Sequence, residues 1–143
     1  MIDIENIVFN TVATALQSDN TLPTVNISSE YIDAPAAFPA VTLTMDSNTT
    51  YVPSQDSSLT EHHASVMFSV NVYSNKKSGK KAECKKIADA IDNIMQNLKF
   101  TRSFYSPIPN VDRTIYRITA RYTAVVAAGE TSGANTIYQI FRR

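Results

Sequence analysis

The sequence predicts a single α+β domain, built as a mainly antiparallel sheet with two helices packed on it and a long hairpin arm. Three observations predict it. Two segments space their apolar residues at three and four positions, as amphipathic helices do. Several others alternate apolar and polar residues, as half-buried strands do. The resulting order is helix, two strands, helix, three strands, with an additional early edge segment, and antiparallel pairing accounts for it without parallel crossovers.

The elements follow in chain order. Ile4, Ile7, Val8, Val12, Ala15 and Leu16 recur at helical spacing, and Asp3 and Glu5 lie in the first turn, where carboxylates favour the helix dipole. A helix over Asp3 to Ser18 follows, stopped by Asp19, Asn20 and Pro23. Val25, Ile27 and Tyr31 read as a short edge strand, and Pro35 and Pro39 bracket an Ala-rich connection. Between Ala40 and Asp46, Val41, Leu43 and Met45 alternate with Thr42 and Thr44, which predicts a strand. Ser47 to Thr60, rich in Ser, Asn, Thr and Asp and holding Pro53, reads as a loop. From Glu61 to Tyr73 the alternation is strongest, with Ala64, Val66, Phe68, Val70 and Val72 on one face.

Ser74 to Lys81 reads as a solvated turn, leading into a helix from Cys84 to Leu98 whose apolar stripe is Cys84, Ile87, Ala88, Ile91, Ile94, Met95 and Leu98. Two more strands, Phe100 to Pro107 and Thr114 to Val126, flank a turn at Asn110 and Asp112. In the second, Tyr116, Ile118, Ala120, Tyr122, Ala124 and Val126 share a face, and Arg117 and Arg121 project from the other. Those two arginines are either solvent-facing or contacts to acidic groups of a neighbouring subunit. A last strand, Thr136 to Phe141, is set off by Gly129 and Gly133.

At 143 residues the chain suits one domain, and a fold of that size buries about 70% of the surface its unfolded form exposes. The chain starts Met1, Ile2, Asp3, Ile4, Glu5, and its apolar runs are short, so it reads as having no signal peptide and no membrane anchor. Cys84 is the only cysteine, which excludes an internal disulfide and a thiolate zinc cluster and suits a reducing cytoplasm.

The net charge of zero conceals a split. Residues 1–75 hold eight acids and no Lys or Arg, whereas residues 76–143 hold all thirteen bases against five acids, giving −8 and 13 − 5 = +8. Either interleaved strands mix the halves and cancel the charge locally, or the fold presents two surfaces of opposite sign suited to head-to-tail contact. Lys76, Lys77, Lys80, Lys81, Lys85 and Lys86 form the densest basic run and are the candidate DNA-facing or partner-binding surface; Arg117 and Arg121 are candidate subunit-interface residues. With the basic groups gathered in one turn, one helix start and one strand face, a basic lumen-facing or partner-facing surface is favoured over simple acid-to-base pairing.

Catalytic chemistry finds no foothold. Glu61, His62 and His63 are metal-ligand types, but neighbours on a strand point to opposite faces, so no metal site is expected. No Ser sits in a glycine-flanked elbow, and Cys84 lies on the apolar side of its helix, where it packs. Ser78-Gly79-Lys80-Lys81 lacks the earlier glycine and the hydroxyl of a phosphate loop, and three glycines cannot supply a dinucleotide fingerprint. No enzyme and no cofactor are expected.

The strand Ser65 to Tyr73, the lysine-rich turn, the helix Cys84 to Leu98 and the extended segment Asn110 to Tyr122, together with the opening helix and the length, resemble the tail terminator, or tail completion, proteins of long-tailed bacteriophages. The resemblance is one of element order and texture over most of the chain. It implies a small α+β virion subunit, made in the bacterial host cytoplasm, that closes into a hexameric ring on the tail tube and joins it to the head connector. The implied partners are copies of the chain, the tail-tube protein and the connector proteins, with genomic DNA passing through the lumen. Phage head-completion and tail-tube subunits share this texture and stand as alternatives, as does a nucleic-acid-binding module that is not sequence-specific. The family carries no catalytic residues onto this sequence.

Overall fold

The computed structural model describes residues 3–22, 24–30, 37–50, 63–109, 113–132 and 135–141, with backbone alone for residue 50 and for 128–132 and 135–141. The elements are α1 (Glu5–Ser18), β1 (Asn26–Ser28), β2 (Ala40–Thr50), β3 (His63–Ser74), α2 (Lys80–Asn97), β4 (Thr101–Pro107), β5 (Tyr116–Ser132) and β6 (Asn135–Phe141). This is the expected α+β domain. One six-stranded sheet runs β1-β2-β3-β5-β4, with β6 also paired to β5. Because β3 occupies one edge of β5 from Tyr116 to Ala127, β6 must lie on the edge that β4 uses, further along.

All pairings are antiparallel except the first, where β1 runs parallel to β2 with Asn26 opposite Ala40. The sheet is thus mainly antiparallel, as expected, with a single parallel pair at its β1 edge. The connection between Ser28 and Ala40 is long enough to bring the chain back to the start of the sheet, which a tight hairpin cannot do.

Alternation placed the core correctly. Ala64, Val66, Phe68, Val70 and Val72 of β3 and Ile118, Ala120, Tyr122, Ala124 and Val126 of β5 are buried on one face. Against it pack Ile4, Val8, Val12 and Leu16 from α1 and Cys84, Ile87, Ala88, Ile91 and Met95 from α2. Phe68 and Phe100 meet edge to face with ring centroids 5.5 Å apart. Ile7, placed in the apolar pattern of α1, instead lies outside the stripe at 44% exposure, because the buried positions repeat strictly every fourth residue from Ile4.

Several boundaries differ from expectation, among them the start of α2, which takes in Lys80 and Lys81 of the expected turn. β2 continues through Ser47 to Thr50, so the start of the expected loop is strand; a bulge at Asp46 shifts the register and lets the polar stretch stay paired with β3. Residues 51–60 of that loop, together with Glu61 and His62 at the start of the expected next strand, lie outside the described residues. β5 runs through Gly129 rather than stopping there, and the register irregularity between Ala128 and Thr131 sits at this glycine. The segment expected as an arm is also changed. Asn110 to Asp112 lie outside the described residues, but Tyr116 to Tyr122 is held between β3 and β4 inside the sheet, so this part is no free arm.

Both ends of α2 are set by backbone geometry. Gly79 takes φ +84° at the N-cap, and Glu83 N–H donates to its carbonyl at 2.9 Å. At the other end Phe100 N–H reaches back to Met95 O at 2.9 Å and Lys99 N–H to Gln96 O at 2.9 Å, the paired bonds of a Schellman closure. This puts Lys99 at φ +69°, a region that favours glycine. Lys99→Gly is therefore expected to stabilise the fold by about 1 kcal/mol, read as a rise in urea midpoint with unchanged slope; an unchanged or lower midpoint contradicts this account of the helix end.

Candidate partner interface

The lysine run does not form one surface. Ser74, fully buried at the end of β3, donates its hydroxyl to Glu83 Oε1 at 2.7 Å and accepts from Lys76 N–H at 3.3 Å, which pins the turn against the first turn of α2. Lys76, Lys77, Lys81 and Lys85 are exposed. Lys80 is half-buried and donates to Thr114 O at 3.4 Å, tying the helix start to the approach to β5. Lys86 lies on the α1 side of α2, where Asp19, Lys86 and Asp89 line a groove between the two helices. The Asp19 carboxyl is held below its ordinary value, chiefly by hydrogen bonds from Thr21 and to a lesser degree by the Lys86 charge. The six-residue cluster thus resolves into five exposed lysines, Lys86 among them beside the helix groove, and one, Lys80, bonded to its own chain.

Arg117 and Arg121 share the sheet face opposite the helices, as alternation required, but their surroundings differ. Arg117 donates from Nε and Nη2 to Asn71 Oδ1 at 3.1 and 2.9 Å and lies 5.6 Å above the Tyr73 ring. Asn71 Oδ1 also accepts from Thr119 Oγ1 at 2.7 Å, so Arg117 belongs to a polar network within the chain, an outcome neither sequence reading foresaw. Arg121 is exposed, with its guanidinium 5.1 Å over the ring of Phe104 on β4.

β4 is the exposed outer strand on this side. Phe104 and Tyr105 are the large apolar residues on its surface, 36% and 41% exposed, and Arg102 lies 5.8 Å over the Tyr105 ring. Arg102 also pairs with Asp92 of α2 at 2.9 Å. Asp92 is buried, and the same oxygen accepts from the Tyr122 hydroxyl at 2.9 Å, while its second oxygen accepts from Gln96 at 2.7 Å. Burial, with the adjacent Asp92 carboxylate, pushes the Tyr122 hydroxyl well above the ordinary tyrosine value, so it remains a donor. Asp92 was missed from sequence. The available signal was its position: it sits four residues after Ala88 and three before Met95, on the buried side of the helical stripe, where a carboxylate needs partners.

The charge split also acquires a place. Residues 26–74 supply β1, β2 and β3 on one side of the sheet, residues 101–141 supply β4, β5 and β6 on the other, and they meet only at the β3–β5 pairing. The helices divide likewise, α1 packing on β2 and α2 on β3, β5 and β4. The halves are side by side rather than interleaved. Exposed or half-exposed Asp3, Glu5, Asp19, Glu30 and Asp46 therefore lie on one flank, and the exposed lysines with Arg102, Arg113 and Arg121 on the other.

Chemistry at the other candidate positions is sparse. Among the described residues no group of three or more His, Cys, Asp or Glu is arranged to hold a metal ion. His63 lies at the start of β3 opposite Ala127. An open cleft of about 620 Å³ is lined by Pro107, Ile108, Pro109, Ile115 and Tyr116 with Arg113 and Arg117. Cys84 is fully buried, its thiol near the Tyr116 carbonyl at 3.4 Å, and burial pushes its pKa up to about 12. Among the described residues no helix is long and apolar enough to cross a membrane.

Two outcomes are expected. Asp92→Ala leaves Arg102 and Tyr122 without their acceptor and is expected to cost about 3 kcal/mol in urea unfolding, against about 1 kcal/mol for Tyr122→Phe. Equal small effects would show that the carboxylate does not hold β4 to α2. For Cys84 the folded pKa is raised, so the folded state keeps its proton after the unfolded thiol, with a pKa of about 8.5, has lost it. Stability is thus complete below that value and falls as pH rises toward about 12. The urea midpoint should drop between about pH 8 and 10, and drop less in Cys84→Ala; equal drops would contradict the assignment.

No protein-family model matches the chain, and a search of curated proteins returns no match. The fold and the placement of charge are consequently the ground for any functional reading.

Proposed function

We propose that this protein is a structural virion subunit that assembles into a ring, hexameric by the resemblance noted above, capping a phage tail tube and joining it to the head connector. The observation that carries the reading is the division of the fold into an acidic and a basic flank on opposite sides of one sheet. A subunit with two unlike, complementary sides associates head to tail, and repetition about an axis closes a ring. The mechanism is steric and interfacial: a closed ring covers the growing end of the tube and offers the connector a new surface. No step in it needs a nucleophile, an acid–base pair or a metal, and the function is not enzymatic. The exposed lysines Lys76, Lys77, Lys81, Lys85 and Lys86 meet either DNA in the lumen or an acidic partner protein.

The test is electron microscopy of tail tubes with and without the chain, alongside its mass in solution. Rings at tube ends and tubes of limited length are the expected result. A chain that stays monomeric on tubes and never occupies their ends overturns the reading.

A second reading, binding of nucleic acid through the phosphates, is favoured by the same exposed lysines. It predicts affinity that falls steeply with salt, and a slope reduced by about three to four units when Lys76, Lys77, Lys81 and Lys85 are replaced by Gln. Base stacking on this segment is not part of it, because no aromatic residue interleaves the lysines from Lys76 to Lys86. Absence of DNA binding at low salt removes this reading.

A further inference from the structure

Resting on the ring reading, we infer which surfaces of the chain meet: the β4 edge of one copy docks on the β1–β2 edge of the next, heterologously and with the two sheets running on. Three features of the fold point there.

The first is strand direction. β2 is antiparallel to β3, β3 to β5 and β5 to β4, so three reversals leave β4 antiparallel to β2, and to β1, which runs with β2. A second copy laid alongside in the same orientation therefore continues the sheet by antiparallel pairing. No flip of the molecule is needed. On the receiving side β1 pairs with Ala40 to Thr42 of β2.

The second is the composition of the β4 edge. Phe104 and Tyr105 are exposed large aromatic residues, each under a guanidinium, and aromatic residues with arginine are the types enriched at the energetic centres of protein interfaces. Edge strands that avoid pairing carry charge, proline or bulges. β4 has a bulge at Ser103 and Pro107 at its end, but its cation Arg102 is turned to the helix layer and held by Asp92. The stretch between bulge and proline is left open, long enough for a short junction.

The third is charge. The β4 side presents Arg121, with Lys81 and Lys85 exposed on α2 against the single exposed acid Asp89, while Arg102 is neutralised by Asp92; the β1–β2 side presents Glu30 and Asp46 and holds no Lys or Arg. Two β4 edges paired about a two-fold axis would bring like charges together, whereas β4 against β1–β2 brings opposite ones. The unlike pairing is the one favoured.

The experiment uses the full chain and measures mass in solution by sedimentation over a range of concentration at low salt. One variant, Phe104→Glu with Arg121→Glu, spoils the β4 edge; another, Glu30→Lys with Asp46→Lys, spoils the β1–β2 edge. Each alone is expected to weaken association by about a hundredfold or more. Mixed together, the two should form a 1:1 dimer that grows no further, because a single intact junction remains. If only the β4 variant loses association, or the mixture stays monomeric, the head-to-tail assignment is overturned. If neither variant changes the mass of an assembling wild-type chain, the inference fails while the ring reading stands on another surface. A wild-type chain that is monomeric throughout overturns the inference, and the occupancy of tube ends then judges the ring reading separately. Should a charge-reversed chain lose its melting transition, Phe104→Ser with Arg121→Gln, and Glu30→Lys alone, carry the same comparison.

Discussion

The pairing of β3 with β5, unbroken from His63–Ala127 to Ser74–Tyr116, is the contact on which the rest of the structure depends. It is the seam between two halves that each supply one helix and three strands. Both strands turn their apolar residues to the same side, and only with the seam closed is that face wide enough to seat α1 and α2 together. Phe68 and Tyr122, opposite each other across it, are both fully buried, and Phe100 reaches Phe68 from the end of α2. Separating the strands would expose the centre of the core rather than its rim.

The two faces of the sheet are stabilised by different physics. Under the helices the terms are apolar burial and one buried carboxylate, Asp92, that holds Arg102, Tyr122 and Gln96 in fixed positions. On the far face Asn71 gathers Arg117 and Thr119, and Asp46 accepts hydrogen bonds from Ser69 and Thr44. Asn71, Thr119, Ser69 and Asp46 are satisfied through these bonds, whereas among the described residues the buried hydroxyls of Thr42 and Ser65 find no acceptor or donor. A helix layer on that face would have to displace these bonds, which is why the domain has one helix layer and a polar back.

Much of this was legible from residue order. The period of the apolar residues fixed the faces of β3, β5 and α2, and the glycine and proline positions bounded most elements. What was not legible depended on neighbours distant in sequence. Ser47 to Thr50 reads as loop by composition, but a partner strand with matching register keeps it paired. Ile7 fits a helical stripe as well as Val8 does, and only the direction of the sheet decides between them. Arg117 reads as exposed or interfacial because alternation gives its face but not the side-chain amide oxygen of Asn71, 46 positions away, that receives it. The side-by-side arrangement of the two charged halves was likewise one of two options until the strand order chose it.

The seam has a consequence for synthesis. β3 is complete some forty residues before β5 begins, so during translation a twelve-residue strand rich in valine offers an open edge with nothing native to pair with. Nascent chains with such edges are prone to join one another. The chain made up to that point carries eight acids and no base, so two growing chains repel. The acidic first half thus acts as a gatekeeper for its own longest strand until the basic half arrives to close the sheet.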